Sequence, residues 1–269
     1  MTTYGLIGYP LGHSFSRKFF TEKFEQEGID AQYLNFEIPS IEEFPKIIES
    51  HPTLRGLNVT IPYKQQVMQY LDEIGPEAKA IGAVNVVRIA PQPPKGEGYR
   101  DASQQTDVAD AIPLRGLGGL TGYNSDVIGF VNSIRPLLKP HHKKALILGT
   151  GGASKAINYG LKEKLGLETL FVSRTARENV ITYDDVTKDV LCDYEVIVNC
   201  SPVGMYPHVD ECPALPYEAM SERHLLYDLV YNPLETLFMK RGAEQEATVK
   251  NGLEMLHLQA IASWEFWNE

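Results

Sequence analysis

The chain has 269 residues, of which 43% are hydrophobic and 22% charged, and its formal net charge at pH 7 is -10. This length suits two modest domains better than one small core, and the composition is that of an ordinary globular protein. The acidic balance argues against a nucleic-acid-binding surface, which requires basic side chains. No apolar run approaches the roughly 20 residues that a membrane-spanning helix needs, so we expect neither nucleic acid nor membrane as a partner.

The N-terminus and the cysteines predict a cytoplasmic protein. The first ten residues, MTTYGLIGYP, lack the basic start and the long apolar stretch of a secretory signal peptide. The three cysteines, Cys192, Cys200 and Cys212, fit neither zinc-binding spacing nor a disulfide framework. We therefore expect free thiols in a reducing compartment, and no metal site.

In the first part of the chain, apolar strand patterns alternate with helical ones. They predict strands at residues 4–8, 33–38, 56–61 and 83–89, and helices at 14–27, 40–48 and 62–71. This alternation is typical of an α/β fold with a mostly parallel sheet. From residue 90 to about 119 the periodicity disappears and proline, glycine and polar residues dominate, which predicts an inserted surface loop.

A second alternating block follows this segment. It predicts strands at 143–149, 168–173, 195–200, 225–230 and 247–250, and helices at 124–138, 152–164 and 253–268. Its first strand, glycine-rich turn and helix have the layout of a Rossmann-type dinucleotide-binding unit. We expect the last, amphipathic helix to return to the first domain. The predicted domains are therefore 1–123 plus 252–269, and 124–251.

The glycine-rich turn at 149–154 reads GTGGAS. Glycines permit a tight turn and close backbone approach, so a pyrophosphate is expected at the N-terminus of the following helix. The next strand ends in Ser173, Arg174 and Thr175, where NAD-binding chains usually carry an acidic residue for the ribose hydroxyls. Because an arginine and two hydroxyls suit a 2′-phosphate instead, the sequence favours NADP.

Short polar clusters interrupt the first domain at strand ends, where open α/β sheets bind ligands. They comprise Ser14, Ser16, Asn58, Thr60, Lys64 and Asn85, with Asp126 at the start of the connecting helix. Each alone has an ordinary structural explanation, such as a helix cap, a turn former or a solvated lysine. Together, these hydroxyls, amides, lysine and aspartate match the needs of a small polyhydroxylated carboxylate.

At these positions the sequence resembles the shikimate dehydrogenases. The motifs that carry the resemblance follow in order nearly from end to end: HSFS at 13–16, LNVTIPYK at 57–64, GAVN at 82–85, GYNSD at 122–126, GTGGAS at 149–154, SRT at 173–175, NCSPVGM at 199–205, YDLVYNPLET at 227–236 and NGLEMLHLQA at 251–260. The resemblance implies reduction of 3-dehydroshikimate to shikimate by NADPH, in aromatic amino acid biosynthesis. It also implies a monomer or homodimer.

The resemblance further implies a role for each residue. Lys64 and Asp126 would form the catalytic pair beside the substrate carbonyl. The substrate carboxylate would be bound by Ser14 and Ser16, and the ring hydroxyls by Asn58, Thr60, Asn85, Tyr231 and Gln259. NADP would be held by Gly149, Thr150, Gly151, Gly152, Ala153, Ser173, Arg174 and Thr175, with Leu229 and Gly252 near the nicotinamide. The implied fold is an N-terminal substrate domain and a Rossmann domain, with the active site in the cleft between them.

Three departures from the family pattern stand out. Residues 17–20 follow the serines where the family commonly has a proline and a small polar pair. The 90–119 loop is longer than the usual hairpin. The stretch between Thr175 and Tyr194 is shorter than usual, which predicts that the helix after the second strand of the cofactor domain is missing.

Other functions remain open on the sequence. A quinate or dual quinate/shikimate dehydrogenase shares the fold and most of the site, although NAD-using members would carry an acid near Ser173. The paired serines argue against a folate-type methylene dehydrogenase. Retention of both Lys64 and Asp126 argues against a non-catalytic nucleotide-binding regulator.

Overall fold

The computed structural model describes residues 1–12, 15–91 and 119–269, which fold into two compact units. The first unit comprises Met1–Ser125 and Ala262–Glu269, and the second comprises Asp126–Ile261. Each contains one six-stranded sheet with flanking helices, which confirms the predicted α/β class. The sequence assigned residues 252–261 to the first domain, whereas in the structure they group with the second unit.

The sheet of the first unit is mixed. In spatial order its strands are β2 (Ala31–Glu37), β1 (Thr2–Gly8), β3 (Leu54–Val59), β5 (Val86–Ile89), β6 (Leu120–Tyr123) and β4 (Glu73–Ile74). β1 pairs in parallel with β2 and β3, and β4 pairs in parallel with β6. β5 runs antiparallel to both of its neighbours.

Both faces of this sheet are covered. Tyr4 and Ile7 are three residues apart in β1 and therefore point to opposite faces. Ile7 belongs to a hydrophobic core that includes Phe44 of α2 (Phe44–Ser50). On the other face, Tyr4 stacks on Trp267 with a ring-centroid distance of 4.9 Å. Trp267 belongs to α8 (Leu253–Asn268), and its ring occupies the space that a Cβ at Gly56 would need.

The prediction of an α-helix at 62–71 is wrong. The segment forms turns followed by a 3₁₀ helix at Gln66–Tyr70. The carbonyl oxygen of Lys64 accepts a hydrogen bond of 2.7 Å from the amide of Val84. That carbonyl is therefore engaged with a distant segment instead of with an amide four residues later, as an α-helix would require.

The sheet of the second unit is parallel throughout its pairs. Its spatial order is β9 (Val180–Thr182), β8 (Glu168–Ser173), β7 (Lys144–Leu148), β10 (Val196–Asn199), β11 (Leu225–Asp228) and β12 (Thr248–Lys250). Numbered within the sheet, this is the order 3-2-1-4-5-6 of a Rossmann fold. The order reverses at β7, and ligands of such sheets bind beside the carboxyl ends of the strands at this switch point.

Two helices of the second unit are in close backbone contact. They are α4 (Asp126–Ile134) and the part of α8 up to Ile261. A Cβ at Gly129 of α4 would lie 2.9 Å from the amide nitrogen of Gln259 and 2.5 Å from the carbonyl oxygen of Met255. The predicted connecting helix at 124–138 is thus observed as α4 with a 3₁₀ turn at Arg135–Leu137.

Of the remaining helices, those at 14–27 and 152–164 were predicted, whereas the helices at Pro76–Ile81, Lys188–Asp193 and Leu237–Ala243 were not. The predicted helix at 152–164 is α5 (Gly152–Tyr159) with a π turn at Gly160–Lys164. The prediction that the helix after β8 is missing is confirmed, because the described residues 174–179 contain turns and lead directly to β9. The other helices are α1 (Phe15–Glu27), α3 (Pro76–Ile81), α6 (Lys188–Asp193) and α7 (Leu237–Ala243).

The predicted 90–119 loop lies almost wholly outside the described residues, which resume at 119. Within the ranges that the structure does describe, no helix has the length and apolar character needed to span a bilayer. In those same ranges, no three His, Cys, Asp or Glu side chains are grouped as ligands for a metal ion.

Candidate active site

Asn58 is the centre of a buried hydrogen-bond network in the first unit. It is the penultimate residue of β3, and 5% of its surface is exposed. Its side-chain oxygen accepts a hydrogen bond of 2.8 Å from the hydroxyl of Tyr33. Its side-chain nitrogen donates to Oγ of Ser263 at 2.9 Å. Two opposite bonds hold the amide, so its orientation is set by the fold.

Asn85 is held in a similar way just before β5. Its Oδ1 accepts a hydrogen bond of 2.7 Å from the backbone amide of Ser125, and its Nδ2 donates to Ser125 Oγ at 3.1 Å. Ser125 Oγ in turn lies 3.1 Å from Ser263 Oγ. The two predicted substrate residues Asn58 and Asn85 are therefore joined through Ser125 and Ser263.

Ser16 lies beside the Tyr33 end of the same network. Its side chain, in the first turn of α1, lowers the pKa of the Tyr33 hydroxyl and partly offsets the effect of burial. Burial raises the pKa of Tyr33 well above its usual range, so this hydroxyl stays protonated and donates to Asn58. Ser14, which the sequence pairs with Ser16, lies outside the described residues.

Thr60 and Lys64 lie in the turn that follows β3. The amide of Thr60 donates to the carbonyl of Ile7 at 2.9 Å, and the carbonyl of Lys64 accepts from Val84. Both side chains are partly buried. The backbone of the predicted catalytic lysine is thus fixed at the carboxyl end of β3, the same end at which Asn58 lies.

Asp126 and Gln259 lie in the second unit, on the two helices that Gly129 brings together. Asp126 opens α4, and each of the two side chains is 8% exposed. The side-chain nitrogen of Gln259 donates to the carbonyl of Leu256 at 3.1 Å. These two predicted residues therefore stand on adjoining helices of that unit.

The glycine-rich turn lies at the switch point of the second sheet. Gly149 has a φ of 102°, which disfavours any residue with a Cβ. Its amide donates to the carbonyl of Val172 at 2.8 Å, and a Cβ would stand 3.3 Å from the amide nitrogen of Ser201. The turn thus passes between the ends of β8 and β10 and leads into α5, where backbone amides suit a phosphate.

Two arginines follow the end of β8. Arg174 and Thr175, next to Ser173, are exposed. The guanidinium of Arg177 donates to Oγ1 of Thr150, within the glycine-rich turn, at 2.9 Å. Burial raises the pKa of Tyr183, and the nearby Arg174 partly offsets that increase. Positive charge therefore borders the turn at the place where the sequence predicts the 2′-phosphate.

Leu229 and Gly252 are neighbours in the second unit. A Cβ at Gly252 would collide with the carbonyl oxygen of Leu229. The amide of Leu229 donates to the carbonyl of Asn199 at 3.0 Å, beside a 3.0 Å hydrogen bond from the side chain of Asn199 to Asp228. Tyr231, two residues after Leu229, is 38% exposed. The residues predicted near the nicotinamide, Leu229 and Gly252, thus lie together beyond the carboxyl ends of β11 and β12.

Comparison with known proteins identifies the family of this chain. The family model for the shikimate dehydrogenase substrate binding domain matches residues 6–87. A shikimate dehydrogenase (NADP(+)) of Carboxydothermus hydrogenoformans is 34% identical, over 98% of this chain and 90% of that protein. The chain belongs to the shikimate dehydrogenase family.

Solved structures of the shikimate dehydrogenase family have the same fold. A chorismate mutase/shikimate 5-dehydrogenase fusion protein from Clostridium acetobutylicum is 35% identical, with a TM-score of 0.77, over 99% of this chain and 90% of that one. Shikimate 5-dehydrogenase from Thermus thermophilus, in complex with NADP(H) and shikimate, is 29% identical with a TM-score of 0.78. That match covers 99% of this chain and 93% of the Thermus chain.

The shikimate dehydrogenase motifs did not point to every residue that the structure places at these sites. Tyr33, Ser125 and Ser263 connect the predicted substrate residues. Tyr33 and Ser263 lie outside the motifs, and Ser125 lies within GYNSD but was assigned no role. Arg177 had a visible signal, because a second arginine follows SRT after one intervening residue. Asp228 also had a visible signal in the sequence, because it is a carboxylate at the end of an otherwise apolar strand.

Proposed function

We propose that this chain is an NADP-dependent shikimate dehydrogenase, which interconverts 3-dehydroshikimate and shikimate in the aromatic amino acid (chorismate) pathway. The observation that carries the proposal is the buried network that holds Asn58 and Asn85 at strand ends of the first unit. Its polar groups are uncharged and fixed, as recognition of ring hydroxyls requires. Relatives that bear the name shikimate dehydrogenase (NADP(+)) support the same substrate and cofactor.

The substrate groups are assigned to residues of matching chemistry. Ser14 and Ser16 bind the carboxylate, which explains how a protein of net charge -10 receives an anion through local donors. Ring hydroxyls are bound by Asn58, Thr60, Asn85, Tyr231 and Gln259. An amide or hydroxyl both donates and accepts, so each suits a hydroxyl partner.

The second unit fits NADP. The close approach of backbone at Gly149 and the start of α5 suit the pyrophosphate, with Thr150, Gly151, Gly152 and Ala153 in the same turn. Ser173, Arg174 and Thr175 bind the 2′-phosphate, together with Arg177 beside Thr150. Leu229 and Gly252 flank the nicotinamide, and when bound NADPH supplies the hydride.

Lys64 supplies the proton in the reductive direction. Reduction of a ring ketone leaves negative charge on the carbonyl oxygen, and an ammonium group beside that oxygen stabilises the charge and donates a proton to it. The fixed backbone of Lys64 restricts where its Nζ reaches. Asp126 is the second member of the catalytic pair.

The deciding experiment is NADP reduction by the purified protein with shikimate and with quinate, repeated with NAD. Strong turnover with shikimate and NADP alone is the expected result. Comparable rates with quinate or with NAD would assign the protein to the quinate or dual-specificity dehydrogenases. Absence of turnover with every pair would overturn the proposed activity.

We also propose a cytoplasmic enzyme that acts as a monomer or homodimer. Cys192, Cys200 and Cys212 are free thiols in the structure, as a reducing compartment favours. Burial raises the pKa of Cys200, which keeps that thiol unreactive. Cell fractionation tests the location, and sedimentation of the purified protein tests the oligomeric state.

A further inference from the structure

An unbroken chain of side-chain hydrogen bonds crosses the first unit. Its members, in order, are Tyr33, Asn58, Ser263, Ser125 and Asn85. The family motifs assign substrate contacts to Asn58 and Asn85. They assign no contact to Tyr33, Ser263 or Ser125.

Two backbone groups fix the direction of the bonds. The backbone amide of Ser125 can only donate, so the atom of Asn85 that faces it is Oδ1. The backbone carbonyl of Asn85 can only accept, so the atom of Asn58 that lies 3.5 Å from it is Nδ2. The same Nδ2 donates to Ser263, which leaves Oδ1 of Asn58 to receive the hydroxyl of Tyr33.

We propose that Tyr33 and Ser263 are positioning residues, which hold the amide of Asn58 in one orientation toward the substrate. Through Ser125, Ser263 also ties this amide to that of Asn85. The inference rests on the proposed function, because it takes Asn58 as a ligand of a substrate hydroxyl. Ser263 is fully buried, and the hydroxyls of Ser263 and Tyr33 are both hydrogen-bonded to the amide of Asn58, so both residues act through that amide.

Removal of the Ser263 hydroxyl has a specific consequence. Asn58 Nδ2 loses its 2.9 Å acceptor in a buried site, and the amide turns toward other partners, because an unsatisfied buried donor is costly. The substrate then meets an amide that is no longer fixed. Binding weakens, while the reacting carbonyl and its lysine are untouched.

The first test is Ser263→Ala, with Ser133→Ala as the matched control. Ser133 is also buried, and its hydroxyl lies 2.6 Å from that of Tyr227 in the second unit. We expect Ser263→Ala to raise the KM for shikimate about 5- to 10-fold, the equivalent of one hydrogen bond. Its kcat and its KM for NADP stay within about twofold of the wild-type values. The control leaves the KM for shikimate unchanged.

The second test asks whether Ser263 acts through Asn58. If it does, Ser263→Ala adds less than about twofold to the KM for shikimate once Asn58→Ala is present, since interacting residues are not additive. Full additivity of the two effects would overturn the inference. Tyr33→Phe, which removes one oxygen, gives the same test should Ser263→Ala not fold, with Tyr217→Phe as its buried control.

Different results would contradict the proposed function and the positioning role of Tyr33 and Ser263. Wild-type protein that does not turn over shikimate overturns the proposed function, and this inference with it. Wild-type turnover together with equal KM values for Ser263→Ala and Ser133→Ala overturns the inference alone.

Discussion

The hydroxyl of Thr236 donates a hydrogen bond of 2.6 Å to the carboxylate of Asp228, and both side chains are fully buried. Asp228 also accepts from the amide of Val230 and from the side chain of Asn199, each at 3.0 Å. Burial nevertheless dominates and raises the pKa of Asp228 to about 6. This carboxylate joins the end of β11 to the loop that carries Leu229.

Asp228 therefore makes the stability of the protein depend on pH. Its pKa is raised from 3.8 to about 6 on folding, so its contribution is fully present below pH 4 and is lost as the pH rises through 6. The loss is on the order of 3 kcal/mol. We expect Asp228→Asn to remove this slope, measured as the difference in urea unfolding between variant and wild type from pH 4 to 7.

Asp189→Asn is the control for that comparison, because Asp189 is an exposed aspartate of the same unit. It should keep the wild-type slope. An Asp228→Asn protein whose stability falls with pH as steeply as the wild type would contradict the assignment.

Lys64→Ala should depress kcat far more than it raises the KM for substrate. General acid groups typically contribute about 10²–10⁴-fold to the rate, and the buried amides that bind the ring are unchanged. Steady-state kinetics with shikimate and NADP provide the measurement. Lys79→Ala, an exposed lysine of α3, is the control. A kcat near that of the wild type would mean that Lys64 binds the substrate but does not act in catalysis.

Arg174→Ala should raise the KM for NADPH about 10-fold or more and change that for NADH little. Charge-assisted hydrogen bonds to a phosphate are among the stronger polar contacts, and NADH lacks that phosphate. Arg177→Ala should act in the same direction, because Arg177 is bound to Thr150 at the edge of the turn. Arg135→Ala, also exposed, serves as the control. Equal effects on the two cofactors would remove the 2′-phosphate assignment.

Gly252→Ala should both destabilise the protein and weaken NADP binding. The added Cβ would collide with the backbone carbonyl of Leu229, which no side-chain rotation relieves. Overpacking of this kind costs about 1–3 kcal/mol. Thermal unfolding and the KM for NADP test the two effects. Gly119→Ala, where a Cβ meets no atom of the described residues within 4 Å, should change neither.

Long periodic elements could be predicted from the sequence, whereas several short ones were missed. Strand β8 and helix α8 have the predicted bounds, because five or more alternating or helical positions give a clear period. Strands β4, β6 and β9 have two to four residues and escaped prediction. The helix expected at 62–71 does not form, because the backbone carbonyl of Lys64 accepts a hydrogen bond from the amide of Val84, which is distant in the chain.

In the candidate site, too, some residues were predicted from the sequence and others were not. Residues whose chemistry is visible locally, such as the glycine-rich turn, were identified from spacing and resemblance. Tyr33 and Ser263 were not, since their role comes from contacts between segments far apart in the chain and from burial that sequence patterns do not record. Their partner Asn58 was predicted as a substrate residue, but only the fold shows how its amide is oriented.

The aromatic face of the first unit has a consequence for biosynthesis. Trp267 packs against Tyr4 and Phe20, yet it follows the whole of the second unit in the chain. On the ribosome, the second unit therefore has all its residues before the first does. Phe20 and Phe24 of α1 cover part of this face, but the face lacks the ring of Trp267 until residues 262–269 are synthesised. A nascent chain stalled before Trp267 should bind chaperones through that face.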